Sequence, residues 1–123
     1  MKELEFELVA DEKAPRLSRT RVEDLGNLLG SRSIDVKLVL SELVTNSVRH
    51  SLATETVRVR VMVTDDKIRL EVIDQGPGFP EAPTRGGGLG LSIVERLADE
   101  WGVSVDGTFT VWVEIGRTAA IDS

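Results

Sequence analysis

From residue 57 to residue 63 valine alternates with bulkier or charged residues without a break. Val57, Val59, Val61 and Val63 lie on one side, and Arg58, Arg60 and Met62 on the other. Successive side chains of a strand point to opposite faces, so this stretch belongs to a sheet with one dry face and one wet face. The pattern recurs at once: Ile68, Leu70 and Val72 alternate with Arg69 and Glu71. Asp65-Asp66 between the two runs is turn chemistry, which makes them a hairpin. Residues 3–8, Glu-Leu-Glu-Phe-Glu-Leu, obey the same alternation. Val103 and Val105, then Asp106-Gly107, then Phe109, Val111, Val113 and Ile115 form a second hairpin. A sheet dry on one side must be covered there by another layer.

Three stretches at helical spacing supply that cover. Pro15 suits a first helical turn, and Ala14, Leu17, Val22, Leu25, Leu28 and Leu29 follow on one stripe toward an end signal at Gly30. Ser33 and Asp35 open a second helix that runs to His50, with Val36, Val39, Leu40, Leu43 and Val44 inward. A third spans residues 89–100, with Leu89, Ile93, Val94, Leu97 and Ala98 inward. The expected fold is an α/β two-layer sandwich, a mixed five-stranded sheet covered on one face by three helices, in the order β-α-α-β-β-loop-α-β-β. Residues 1–116 read as a single domain and residues 117–123 as a frayed, flexible tail.

Composition narrows the function. The net charge of −6 and pI near 4.8 have the wrong sign for sequence-independent nucleic-acid binding. With no Cys, thiolate catalysis and Cys-ligated zinc are excluded, and a single His rules out a His-rich metal site. No apolar run approaches the ~20 residues of a membrane helix. The start lacks the basic-then-apolar order of a signal peptide, so a cytoplasmic protein without membrane contact is expected.

Three segments depart from what packing alone requires. Glu42, Asn46 and His50 recur every fourth residue and form a polar row beside the apolar stripe. A solvated helix edge, with Arg49 and Lys37 as neighbours, would give the same row. Asp74 ends an apolar strand and precedes Gly76 and Gly78. A carboxylate there can accept a hydrogen bond from an exocyclic amine, and glycines let a ligand approach the backbone. Asp before Gly also makes an ordinary tight turn. Gly86, Gly87, Gly88, Leu89, Gly90 and Leu91 run into a helix, where free N–H groups favour phosphates; a loose linker would look similar. This is not a P-loop, which needs Gly-Lys-Ser/Thr, because no Lys follows Lys67. Nor is it a dinucleotide fingerprint, since no strand feeds directly into the glycines.

Together and in this order, Glu-x-x-x-Asn on a helix, Asp-x-Gly-x-Gly after a strand and Gly-x-Gly-Leu-Gly-Leu opening a helix resemble the GHKL ATPases over residues 36–115. That family joins gyrase-type ATPases, heat-shock ATPase chaperones, sensor histidine kinases and mismatch-repair ATPases. Leu40-Ser41-Glu42-Leu43-Val44-Thr45-Asn46, Leu97-Ala98-Asp99, and Trp101-Gly102 before Thr110-Val111-Trp112 further resemble the small bacterial anti-sigma-factor serine kinases.

The resemblance implies ATP and Mg²⁺ as ligands. Asp74 would accept the adenine amino group, supported by Thr110 from the neighbouring strand, and Gly76 and Gly78 would admit base and ribose. Asn46 would hold Mg²⁺. The backbone of Gly86, Gly88, Leu89, Gly90 and Leu91 would cradle phosphates. Arg49 and His50 would contact phosphate and nucleotide, and Arg85 is the candidate for the γ-phosphate. Glu42 would take a proton from the attacking hydroxyl or orient it. A sigma factor and an antagonist (anti-anti-sigma) protein, phosphorylated on Ser or Thr, are the implied partners, and a homodimer is the implied assembly. Two departures stand out. The segment between Phe79 and Gly88 is short where relatives carry a long lid, and three glycines in a row blur the first position of the glycine motif. The competing functions are the catalytic half of a split histidine kinase and an ATP-sensing module without activity.

Overall fold

A computed structural model describes residues 1–50, 56–74 and 91–117 of the chain, without the side chain of His50. Five strands form one sheet: β1 (Lys2–Val9), β2 (Thr56–Val63), β3 (Lys67–Asp74), β4 (Glu100–Val105) and β5 (Phe109–Gly116), in the spatial order β1-β2-β3-β5-β4. Every pairing is antiparallel, so the sheet is not mixed as expected. Both hairpins return directly on themselves, and β1 joins β2 head to tail, which leaves no parallel neighbours.

The alternation sets the register. Val57, Val59, Val61 and Val63 face inward beside Ile68, Leu70, Val72 and Asp74, which in turn stand beside Ile115, Val113, Val111 and Phe109. All the apolar members of these three rows, Val57 and Phe109 included, are nearly or fully buried. At the first hairpin the Thr64 amide donates to the Lys67 carbonyl at 2.9 Å and the Thr64 hydroxyl to Asp66 at 2.9 Å. At the second, Gly107 takes φ +80°, the left-handed turn conformation that glycine adopts freely. Trp101, on β4, is also inward and donates from Nε1 to Glu95 at 3.0 Å. Val105, expected inward, is 74% exposed at the end of β4, the edge strand of the sheet.

The helices cover the inner face: α1 (Ala14–Val22), α2 (Ser33–His50) and α3 (Ser92–Leu97). The first is shorter than its leucine spacing promised. At Glu23–Arg32 the chain tightens into 3₁₀ turns broken at Gly26 (φ 56°) and Gly30 (φ 55°). Each glycine follows a buried leucine, Leu25 or Leu29, so the same kink occurs twice four residues apart. With α1 ending at Val22, its buried row is Ala14, Ser18 and Val22, and Leu17 is left 41% exposed. The third helix stops at Leu97, because Ala98 turns extended and the Asp99 amide already bonds Glu114 across the sheet.

Arg117, expected to begin a frayed tail, is pinned instead. It donates from Nε to the Leu28 carbonyl at 3.1 Å and from Nη1 to the Thr64 carbonyl at 2.8 Å. Residues 118–123 lie outside the described residues.

Candidate functional site

Along α2 the apolar row Val36, Leu40 and Leu43 continues one turn further into Ser47. Along β3 the inward row Ile68, Leu70 and Val72 continues into Asp74. Two rows that begin as core therefore end in polar residues, and the two ends meet. The Ser47 hydroxyl donates to Asp74 Oδ2 at 3.5 Å, with both residues 1% exposed. The sequence motif singled out Asp74 but assigned Ser47 no role. The signal that finds it is a hydroxyl where the helix's own stripe asks for an aliphatic side chain.

Asn46 adjoins this pair and is 4% exposed. Among the described residues its side-chain Nδ2 is buried without a hydrogen-bond partner. An unmet buried amide N–H costs about 1–3 kcal/mol, a cost that an acceptor on a bound ligand, such as a phosphate oxygen, removes. Among the described residues no group of three or more His, Asp or Glu side chains could hold a metal ion. A lone buried carboxamide fits Mg²⁺, which keeps waters and takes most of its oxygens from substrate phosphates rather than from a protein cage.

One turn before Asn46, Glu42 is half-buried. Burial pushes its carboxyl above the usual 4.5, opposed by the positive charge of Arg49. Arg19 of α1 reaches across to α2 and donates to the Ser41 hydroxyl at 2.8 Å, beside Glu42. Arg49 is exposed and lines a groove of about 310 Å³ with Asp11, Glu12, Pro15, Thr45 and Val48. The structure thus puts Glu42, Asn46, Ser47 and Arg49 on the second half of one helix, with Asp74 joined to it through Ser47.

Thr110 does not join them. It alternates with inward Phe109 and Val111 and pairs in register with Ile73, so it sits on the opposite face of the sheet from Asp74. The inward neighbour of Asp74 on β5 is Phe109, a buried ring that the motif reading passed over. Leu91 precedes α3 and is buried, 2% exposed. Gly76, Gly78, Arg85, Gly86, Gly88, Leu89 and Gly90 lie outside the described residues, as do the His50 side chain and the short segment after Phe79.

Residues 31–120 match the family described as histidine kinase-, DNA gyrase B- and HSP90-like ATPase. The serine-protein kinase RsbW of Bacillus licheniformis is 35% identical over 96 residues, which cover 63% of this chain and 60% of that protein. The serine-protein kinase RsbW of Staphylococcus aureus is 29% identical over 107 residues, covering 71% of this chain and 62% of that protein. The chain thus spans about 60% of the length of the curated relatives it matches. In fold it is similar to the structure of the RsbU and RsbW domains of Rv1364c from Mycobacterium tuberculosis. That likeness has a TM-score of 0.70 at 24% identity and covers 95% of this chain and 33% of that one. The catalytic domain of the histidine kinase ThkA gives a TM-score of 0.54 at 17% identity, covering 95% of this chain and 99% of that one.

Proposed function

The chain belongs to the histidine kinase-, DNA gyrase B- and HSP90-like ATPase family, and from that premise we propose that it is an ATP-dependent protein serine/threonine kinase that also sequesters a sigma factor. The observation that carries the reading is the buried polar corner of Asn46, Ser47 and Asp74, closed to solvent and with an unmet amide. In this reading Asp74 accepts the adenine amino group, against the apolar flank of Val57 and Phe109. Asn46 holds Mg²⁺ through its side-chain oxygen. A bound Mg²⁺ supplies neutralisation of phosphate charge, which a chain of net charge −6 otherwise opposes. Arg49, His50 and Arg85 would contact phosphates, and the backbone amides of residues 86–91 would bind them, as the family resemblance implies.

Glu42 serves the acceptor. The Ser or Thr hydroxyl of an antagonist protein attacks the γ-phosphorus, the bond to the β–γ bridging oxygen breaks, and ADP leaves. Glu42 takes the hydroxyl proton as the new P–O bond forms. A carboxyl raised by partial desolvation is better matched to that task at neutral pH than an ordinary one. The groove at Thr45, Val48 and Arg49 adjoins Glu42's helix on its outer side, which gives the acceptor segment an approach. The RsbW relatives' names as serine-protein kinases support the acceptor chemistry. Among the described residues no helix is long and apolar enough to cross a membrane, and we place the protein in the cytoplasm on its likeness to the RsbW relatives.

The test is transfer of γ-phosphate from ATP to an antagonist protein carrying an acceptor Ser or Thr. Glu42→Ala should keep ATP affinity within a few-fold and lose at least about 100-fold in transfer rate. Transfer at the normal rate would remove Glu42 from the chemistry, and an acid-labile phosphoprotein would mark a histidine kinase instead.

A further inference from the structure

We propose that Ser47 sets the base selectivity of the site by engaging one oxygen of Asp74. The proposal rests on the reading of Asp74 as the base acceptor. A carboxylate by itself does not choose adenine. It accepts one N–H from the adenine amino group, but its two oxygens together match the N1–H and N2–H pair of guanine at least as well. Choice requires that the two oxygens not be equally available to guanine's paired donors. Ser47 meets that requirement, because its hydroxyl donates to Asp74 Oδ2.

Three features make this a placed contact rather than an incidental one. Among the described residues, Asp74 is the hydrogen-bond partner of the Ser47 hydroxyl, whereas a helical serine commonly turns back to its own helix's carbonyls. Ser18 of α1, equally buried, does that and donates to the Pro15 carbonyl at 2.6 Å. Second, Ser47 interrupts the apolar row of Val36, Leu40 and Leu43, where packing would favour an aliphatic residue. Third, the bond joins two secondary-structure elements at a fully buried point, so it fixes the carboxylate relative to the helix that carries Asn46 and Glu42. At 3.5 Å the contact is at the long limit of an O–H···O hydrogen bond, and its weight lies in keeping the hydroxyl beside Oδ2, where a guanine N–H would have to share that oxygen or displace the serine.

Ser47 is thus a positioning residue, and its signature is a ratio of affinities. Calorimetry would measure Mg²⁺-dependent binding of ATP, GTP and inosine triphosphate to the full chain and to Ser47→Ala, Ser47→Cys and Asp74→Asn. In Ser47→Ala, ATP affinity should stay within a few-fold while GTP affinity rises by about ten-fold or more. Inosine triphosphate should gain less, because it lacks the 2-amino group needed for the paired contact. Ser47→Cys, close in volume with a weaker donor, should fall between. A purely structural role would change the melting temperature and all three nucleotides alike. An unchanged ATP-to-GTP ratio in Ser47→Ala, with the ratio collapsed in Asp74→Asn, would overturn the role of Ser47 and leave Asp74 in place. A ratio unchanged in Asp74→Asn would instead overturn the reading of Asp74 itself.

Discussion

The two faces of the sheet treat charge in opposite ways. On the outer face the polar residues of neighbouring strands answer one another. Glu5 meets Arg58 and Arg60, Arg60 reaches Glu71, and Glu71 and Glu114 share Arg69, with Lys67 at the end of the row. Arg69 also lies over Trp112 at 4.6 Å, and that ring rests against Gly102 of the next strand. The ion pairs of this surface are made among the chain's own side chains, although Arg60 Nε, 3.4 Å from Glu3 and 3.7 Å from Glu5, makes no hydrogen bond among the described residues. On the inner side, at the ends of α2 and β3, three polar residues are buried more deeply than any of those, yet the Asn46 amide lacks a partner. Burial without completion is costly unless something else supplies the missing contact. The outer face holds the sheet together, and in the proposed function the inner corner holds a ligand.

The sharpest way to break this contrast is Asn46→Ala. It should weaken ATP binding in the presence of Mg²⁺ by about ten-fold or more, the scale of one charge-linked contact, and abolish the difference between binding with and without Mg²⁺. It should leave the fold intact, because no hydrogen bond to the Nδ2 group is lost. Calorimetry with and without EDTA reads both effects. A variant that keeps the full Mg²⁺ dependence would assign the metal to another residue.

On the outer face the corresponding experiment is steric. A Cβ at residue 102 would lie 2.8 Å from Trp112 Cζ2, so Gly102→Ala must push the indole off its seat and away from Arg69. The expected cost is about 1–3 kcal/mol, read as a lower urea midpoint with nucleotide affinity unchanged. Loss of ATP binding in this variant would mean that the two faces are coupled.

The smallest effects separate the faces by sign. Hydrogen bonding to Arg69 holds the Glu114 carboxyl below the usual 4.5. Its contribution is complete above 4.5 and disappears as pH falls through the lowered folded value. Burial raises the Glu42 carboxyl above 4.5, so the folded state is favoured below that pH and loses the advantage as pH rises through the raised value. At neutral pH Glu114→Gln should therefore lower the melting temperature and Glu42→Gln raise it. Both differences should shrink in acid, that of Glu42→Gln first. A destabilised Glu42→Gln would show that the carboxylate is there for packing and not for chemistry.

Much of this was legible because a strand writes its two faces in alternate residues. Val57 to Val63 and Ile68 to Val72 announced both the register and the dry face. The same parity puts Thr110 in register with Ile73, on the face opposite Asp74, with Phe109 and Val111 at the inner positions. The first helix was over-read because leucines three and four apart satisfy α and kinked 3₁₀ geometry alike, and only the positive φ of Gly26 and Gly30 separates them. Leu97 ended α3 through a pairing across the sheet, Asp99 to Glu114, which no local pattern records. Ser47 was hidden for a related reason. A serine inside a helix carries no meaning until the strand that ends in Asp74 is seen beside it.

The central claim is that the Asn46–Ser47–Asp74 corner is completed by an adenine nucleotide. Its most direct test is the ATP affinity of Asp74→Asn, which replaces one acceptor oxygen by a donor at nearly constant volume. The account predicts that the variant folds, as judged by circular dichroism and an unchanged urea midpoint within about 1 kcal/mol. It also predicts that Mg²⁺-ATP binding weakens by about ten-fold or more, because the charged acceptor is replaced by a neutral amide whose single oxygen must serve both Ser47 and the adenine amino group. A folded Asp74→Asn chain that binds ATP as tightly as the unaltered protein would contradict the account at its foundation.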